Sequence, residues 1–347
     1  FPTRRSSDLN RFLRLWYEID RSTFSADCRS REHATIENPT WVPYNKGGDF
    51  RKWWGNQEYV LQWKDDGKAV IGYAASLYGS PTRTIKSLSE YFKPCASWSK
   101  ISSGDIAFRF FPEGFVFDVA GCSIFFEQSE DIFVSLGFLN STVSKAILKA
   151  TSPTINYEAG QIASLPFGAT TLPCAKQVAD IVKSLVQESK SDWNLNETSW
   201  DFKRLELLTD GESLKDSWDQ FHSNRKSALS KMQLLEEQNN ALFISAYGLQ
   251  NELSQEVPES QITLVRADRE KDCQRLISYA IGCMMGRYSL DEPGLIYAHA
   301  GNVGFEPGRY ATFPADADGI VPITDELWFA DDAPSRIREF LLAVWGP

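Results

Sequence analysis

The stretch WVPYNKGGDFRKWWGNQEYVLQW, residues 41–63, places seven aromatic and three basic side chains around a pair of glycines. Val, Tyr and Trp favour strands at its two ends, and the glycines favour a turn between them. In one interpretation, this is a hairpin whose Trp and Tyr rings fill a core while residues 45–48 form its turn. The stretch therefore predicts a strand-containing core at this point of the chain.

The polar side chains of the same stretch support a second interpretation, compatible with the first, in which the rings brace a loop whose cations point outward to nucleic acid. Glycines permit close approach of the backbone to a phosphate, Lys and Arg neutralise it, and Arg or Asn can hydrogen-bond a base edge. A second mixed cluster, residues 93–121, has a similar composition, and its alternative is a solvated loop between strands. The DNA-binding candidates from the two clusters are Lys46, Arg51, Lys52, Asn56, Lys100 and Arg109.

Residues 41–167 as a whole consist of short runs rich in Val, Ile, Tyr, Phe and Trp, which Gly, Pro, Asn and Asp separate. This alternation indicates a mixed, strand-rich domain. We count AVIGYAASLY (69–78) among its strand-like runs and expect a helix near residues 133–148.

The pattern changes at the end of this region. A third motif, residues 152–167, is expected to form a turn at Tyr157 and Glu158 and then a closing strand. After it, apolar residues recur with a period of 3.6 from Val178 to Val186. We therefore expect an amphipathic helix that begins just after Pro173.

Two further helices are predicted from the same periodicity. One covers residues 218–243, and the other covers residues 273–284 and ends at Gly286. Beyond Tyr288 the chain is loop-like and acidic. Together these patterns predict an α+β fold, with a strand-rich domain followed by a helical spacer and a C-terminal region.

Composition and charge limit the classes of protein. With 347 residues, 42% of them apolar, the chain can bury a core and form two or three domains. Its net charge of −10 argues against general polyanion binding, but 17 basic against 12 acidic residues within residues 1–110 allow a locally basic face. Six cysteines without a C-x-x-C pair predict reduced thiols in a cytoplasmic protein. No apolar run reaches the roughly 20 residues of a membrane span, so we expect no membrane contact.

The familiar motifs for cofactor and metal binding fail in this chain. The segment AGNVGFEPG (300–308) has glycines but neither a preceding strand nor a following helix, so we interpret it as a surface loop. The segment FPADADGIVPITDE (313–326) resembles part of a calcium loop, but Pro314 stands where the first ligand oxygen is required. We therefore predict no catalytic, cofactor-binding or metal-binding residue within this chain.

Five long motifs, taken in order, resemble one family. They are WVPYNKGGDFRKWWGNQEYV, WSKISSG with GFVFDVAG, INYEAGQIASLPF, SKSDWNLNETSWDFK and GCMMGRYSLDEPGLIYAHAGNVGF. They look like the C-terminal half of the PglX family, the adenine-specific DNA methyltransferases of BREX type 1 phage-defence systems, and the resemblance covers residues 10–347. It implies that an N-terminal part, missing here, binds S-adenosylmethionine and methylates an adenine flipped out of double-stranded DNA. We predict no metal.

The motifs and the ends of the chain together predict five segments. They are an adapter scar (1–9, FPTRRSSDL), a linker from the missing methyltransferase domain (10–40), a target-recognition domain (41–167), a helical spacer (168–260) and a truncated C-terminal region (261–347). We interpret the acidic spacer as a solvated face, with contact to other BREX proteins as the alternative. We expect this chain alone to be inactive. The alternative function is a non-catalytic DNA specificity or interaction subunit whose partner supplies catalysis.

Overall fold

The computed structural model describes residues 9–83, 85–102, 104–151, 155–168, 172–208, 213–298, 304–324, 326 and 328–347. The strands are β1 (Leu13–Leu15), β2 (Trp41–Asn45), β3 (Tyr59–Gln62), β4 (Cys95–Ser99), β5 (Phe108–Phe111), β6 (Val116–Phe117) and β7 (Gly121–Ile124). The helices are α1 (Arg31–Glu37), α2 (Lys64–Tyr78), α3 (Ser129–Leu139), α4 (Thr142–Thr151), α5 (Ala159–Ala163), α6 (Ala175–Trp193), α7 (Leu214–Ala246), α8 (Arg269–Met284) and α9 (Ala333–Trp345). The predicted α+β fold is confirmed. The chain divides into two compact units, Phe1–Trp193 with Ser230–Leu264 and Asn194–Leu229 with Val265–Pro347.

The first sheet of the first unit has the order β1-β3-β2-β6 and is antiparallel except that β6 runs parallel to β2. Tyr44 of β2 pairs with Tyr59 of β3, so the two ends of the aromatic stretch form neighbouring strands, as predicted. The predicted tight turn is wrong, because the connection runs over residues 46–58. Trp53 and Trp54 within this connection are buried, and their burial draws the connection back onto the core.

The second sheet has the antiparallel order β5-β4-β7. Asn45, at the end of β2, is buried and donates from Nδ2 to Ser97 Oγ on β4 over 2.6 Å. Ser97 Oγ in turn donates to the carbonyl of Cys122 on β7 over 2.7 Å. These hydrogen bonds join the end of β2 to the second sheet and satisfy polar groups that would be costly to bury alone.

Two predicted strands are helices. The run AVIGYAASLY lies in α2, where Val70 and Ala74 are buried four residues apart on one face, the spacing of a helix and not of a strand. The closing strand expected before Leu165 is replaced by α5. A capping box between Glu158 and Gln161 begins that helix, because each side chain binds the other residue's backbone N–H.

Helices complete the first unit. The helix predicted near residues 133–148 is the pair α3 and α4, and α3 packs against α6. A Cβ at Gly137 of α3 would lie 2.7 Å from Val178 Cγ1 of α6, so only glycine fits this close helix pair. The helix after Pro173 is confirmed as α6. Among the described residues, no single helix is long and apolar enough to cross a membrane, and α3 with α4 meets that test only as a pair bent by 62°.

The second unit has its own apolar core around α8. Tyr279, Met284 and Phe340 are among its fully enclosed side chains. The helix predicted over residues 273–284 is confirmed and extended to its N-terminal cap at Asp268, which accepts from the N–H of Lys271. The last two helices of this unit, α8 and α9, pack together.

Residues 10–40, predicted as a linker, belong to the first unit. β1 pairs with β3, and Phe12, Trp16 and Cys28 are buried because their apolar surfaces reach the core. Leu9 is also buried, whereas residues 1–8 of the expected scar lie outside the described residues. The limits of the compact units, at residues 193, 229 and 264, differ from the segment limits expected from the motifs.

Candidate functional site

The two sequence clusters that contain the DNA-binding candidates meet at one edge of the first unit. Ser99 Oγ donates to the carbonyl of Gly48 over 2.6 Å. Gly47 has a φ of 77°, and a Cβ there would lie 2.9 Å from the carbonyl oxygen of Ala120. Glycine is therefore required at this position both by backbone conformation and by the close approach of the second cluster.

The third motif joins the same edge. The N–H of Ser102 donates to the carbonyl of Ile155, and the N–H of Tyr157 donates to the carbonyl of Lys100 over 2.8 Å. Trp98 Nε1 also donates to the carbonyl of Tyr157 over 3.0 Å. Three motifs that are far apart in the sequence thus share one loop surface. Residues 152–154 of the third motif lie outside the described residues.

Arg109 holds this edge together from inside. Its side chain is buried, and its guanidinium donates to the carbonyls of Asp49 and Arg51 and to Ser99 Oγ over 3.1–3.4 Å. These acceptors are neutral, and burial, followed by the charge of Arg51, lowers the pKa of Arg109 to about 10. A buried cation held by neutral acceptors costs stability. The hydrogen bonds from Arg109 fix the backbone of residues 49–51.

Arg51 and Lys52 do not point outward. Arg51 Nη2 lies 2.7 Å from Asp192 Oδ2 of α6, and Lys52 Nζ forms an ion pair with Glu236 of α7. Only 1% of the Lys52 side chain is exposed. The expectation that Arg51 and Lys52 project from the loop is wrong, because the aromatic side chains carry the segment into the core, where carboxylates of two helices pair with these cations. Arg109, on β5, is also buried.

The sequence of α6 contains one signal of the ion pair between Arg51 and Asp192. Asp192 follows Leu185 and Ser189 at intervals of four and three residues, on the face of α6 that is buried. A carboxylate on the apolar face of a helix requires a partner cation or several hydrogen-bond donors. The pattern therefore calls for a basic partner, although it does not identify Arg51.

Lys46, Asn56 and Lys100 are the remaining candidates, and their side chains are partly exposed. Lys46 Nζ lies 4.3 Å from the centre of the Tyr59 ring. Lys100 Nζ lies 2.9 Å from Glu158 Oε1, and this hydrogen bond lowers the pKa of Glu158. Asn56 instead donates from Nδ2 to the carbonyl of Asp49 over 2.9 Å, so its amide is used within the loop.

A groove opens beside these residues, and we refer to it as the Asp49 groove. It encloses about 350 Å³ and is lined by Gly48, Asp49, Phe50, Ile101, Ser102, Gly104, Asp105 and Gln261. Phe50 and Ile101 are 38% and 59% exposed, which is high for large apolar side chains. Lys145 stands beside the groove, 3.8 Å from the Asp105 carboxylate and 2.9 Å from Gln261 Oε1.

The described residues do not fit S-adenosylmethionine. A glycine-rich cofactor loop requires a strand that leads through the glycines directly into a helix. Gly47 and Gly48 follow β2, but the next regular strand or helix is β3, and α2 begins only at Lys64. Residues 300–303 of the other glycine-rich segment lie outside the described residues. Within the described part of the chain, no group of three His, Cys, Asp or Glu residues could hold a metal ion.

The chain is similar over nearly all of its length to two curated methyltransferases. It is 36% identical to the adenine-specific methyltransferase PglX of Lacticaseibacillus casei (strain Zhang) and 32% identical to the adenine-specific methyltransferase BrxX of Escherichia coli O9:H4 (strain HS), over 96% of this chain in each case. It spans 28% of the length of each of these relatives. No protein-family model matches the chain. The resemblance predicted from the five motifs is therefore confirmed, although the chain corresponds to 28% of each relative and not to the predicted half.

Proposed function

We propose that this chain is the DNA-recognition part of a site-specific adenine DNA methyltransferase of a BREX phage-defence system. The observation that carries the proposal is the 36% identity to an adenine-specific methyltransferase over 96% of the chain. S-adenosylmethionine and the catalytic residues would belong to parts of the protein beyond this segment. The substrate would be double-stranded DNA, and the protein would act in the cytoplasm.

The loop surface where the three motifs meet supports a role in recognition. Loops held by a rigid scaffold are the usual place for binding residues. Here the scaffold consists of two sheets, and Arg109 and Ser99 fix the loop backbone by donating to its carbonyls. The proposed recognition surface is therefore the edge formed by residues 46–50, 99–102, 104 and 105.

The basic residues at this edge fall into two groups, those that can contact DNA and those that support the loop. Lys46 and Lys100 can contact phosphates, which positions a protein on DNA without reading its sequence. Lys100 would exchange Glu158 for a phosphate, at small cost because both side chains are partly exposed. Arg51, Lys52 and Arg109 support the loop from inside and would not contact DNA in this conformation.

The test begins with the intact protein that contains this chain. The protein is incubated with duplex DNA and S-adenosylmethionine, and N6-methyladenine is mapped by sequencing. We expect methylation at one defined sequence. Replacing residues 41–167 with the matching segment of a relative that methylates a different sequence should transfer the relative's site.

Each failure has a separate meaning. If the intact protein methylates no adenine, the proposed activity is wrong. If the exchanged protein is active and keeps its original site, residues 41–167 do not carry recognition. Methylation that requires a separate catalytic subunit would favour the alternative of a specificity subunit, and co-purification with other BREX proteins would test the proposed assembly.

A further inference from the structure

We propose that the Asp49 groove reads DNA bases, with the carboxylates of Asp49 and Asp105 accepting hydrogen bonds from exocyclic amino groups of cytosine or adenine in the major groove. This proposal rests on the proposed function and identifies residues that would select the recognised sequence. Neither residue was among the candidates expected from the sequence, which are five basic residues and Asn56.

The first argument is the way the loop is held. The carbonyl of Asp49 accepts from Arg109 and from Asn56, and the carbonyl of Gly48 accepts from Ser99. Three side chains thus fix the backbone, while the residues at positions 48–50 remain exposed. Part of this support comes from Arg109, a buried cation that costs stability. Such an arrangement favours a binding surface, because a rigid loop loses less entropy when it binds.

Two residues of the same loop adopt the left-handed backbone conformation, as do five other non-glycine residues of the described part of the chain. Trp53 and Asn56, both non-glycine residues, have φ values of 72° and 57°. This conformation costs a bulky residue such as Trp53 roughly 1–3 kcal/mol, whereas Asn adopts it more readily. The strained residues lie in the connection between β2 and β3 that presents Asp49 to the groove.

The second argument is the chemistry of the groove. Carboxylates accept hydrogen bonds from the amino group of cytosine, and the amide of Gln can bind adenine. Gln261, which lines the groove, accepts from Lys145 through Oε1. The exposed side chains of Phe50 and Ile101 supply apolar surface of the kind that contacts thymine methyl groups.

The third argument is the balance of charge around the groove. Asp49 and Asp105 would repel phosphates, so the groove itself is unsuited to the DNA backbone. Lys46 and Lys100 lie in the segments directly before the two loops that line it, where they can contact flanking phosphates. Lys145, whose pKa is lowered chiefly by burial, stands 3.8 Å from Asp105. The aspartates in the groove would accept hydrogen bonds from a DNA base edge, and the lysines beside the groove would contact the phosphates that flank that base.

The experiment uses the intact protein and its mapped methylation site. Asp49→Asn and Asp105→Asn each keep the size of the side chain but replace one acceptor oxygen with a donor. We expect the rate at the parent sequence to fall by about 5- to 150-fold, and one position of the site to accept a different base. The matched control is Asp180→Asn, an exposed aspartate on α6 outside the groove, which should methylate the parent site at the parent rate.

The outcomes separate this proposal from the proposed function. If the unsubstituted protein methylates no adenine, the proposed function fails before the groove is tested. If it is active and both folded variants keep the parent site and rate, the groove does not read bases. A uniform loss of rate without any change of site also overturns the proposal, because it shows a contribution to binding rather than to reading. Thermal melting checks that each variant is folded, and the Asp105→Asn variant decides the matter if Asp49→Asn does not fold.

Discussion

The two halves of the connection between β2 and β3 differ in almost every physical respect. Residues 46–50 carry side chains that are exposed or partly exposed around two glycines, whereas residues 51–55 are largely buried. Arg51 and Lys52 in the second half pair with carboxylates of α6 and α7. The first half is free to bind, and the second half anchors it.

The difference shows what a cation does in an aromatic context. A Lys or Arg that follows a turn can reach solvent, but one beside buried Trp residues is drawn in with them and must find a carboxylate. Lys52 lies next to Trp53, whose Nε1 donates to the same Glu236 that pairs with Lys52. One glutamate therefore anchors two neighbouring side chains of the buried half.

The largest effect is expected from removing the anchor ring. Trp53→Ala should destabilise the first unit by about 3–5 kcal/mol, because the ring is 1% exposed and its loss leaves a cavity. Thermal melting, together with hydrogen exchange of α7, measures the loss. Trp328→Ala is the control, since that ring is 73% exposed and its removal should change stability by no more than about 0.5 kcal/mol. An unchanged melting temperature for Trp53→Ala would show that residues 51–55 do not anchor the connection.

A comparable effect is expected from breaking the buried ion pair. Lys52→Met leaves Glu236 charged and enclosed, which should cost about 3–5 kcal/mol. Adding Glu236→Gln removes that charge and keeps an acceptor for Trp53 Nε1, so most of the stability should return. The same hydrogen-exchange measurement tests both variants. A double variant no more stable than Lys52→Met would contradict the role assigned to this pair.

The exposed half should affect DNA binding with little effect on folding. Changing Lys46 and Lys100 together to Ala removes two proposed phosphate contacts and should reduce the slope of log affinity against log salt by about 1.8. A fluorescence titration of the intact protein with duplex DNA at several salt concentrations measures the slope. Lys226→Ala with Lys271→Ala in the second unit is the control and should leave the slope as it is. If the two double variants behave alike, the exposed half makes no phosphate contact.

The smallest effect concerns the pair of Lys100 with Glu158. The hydrogen bond from Lys100 lowers the pKa of Glu158. The ion pair therefore stabilises the fold at pH values above the ordinary glutamate pKa. This contribution disappears as the pH falls through the lowered pKa of Glu158. Lys100→Ala should therefore cost at most about 1 kcal/mol at neutral pH and nothing at lower pH. Melting curves across that pH range check the trend, and a deficit that grows with acidity would reverse its sign.

Much of the fold was predictable from local patterns. Proline and glycine mark the start of α6 and the end of α8, and the burial of Trp53 and Trp54 follows from their size and context. Residues 69–78 of α2 were expected to form a strand, because the small residues among them obscure the helical spacing of Val70 and Ala74. Local pattern therefore identified the helices more reliably than it separated short strands from short helices.

The site was less predictable, because its decisive contacts are distant in sequence. Arg51 and Asp192 are 141 residues apart, and Lys52 and Glu236 are 184 residues apart. Charge alone cannot reveal such pairs. The Asp49 groove was missed for a related reason, since acidic residues are not the usual sign of DNA contact and Gln261 enters from a third, remote segment.

The most direct test of the central claim is lysine footprinting of the intact protein, with and without duplex DNA that contains its site. Chemical acetylation followed by mass spectrometry reports the access of each lysine. We expect Lys46 and Lys100 to react in the free protein and to be protected by DNA, while Lys52 stays unreactive in both states. Rapid modification of Lys52 that DNA blocks, with no change at Lys46 and Lys100, would contradict the account.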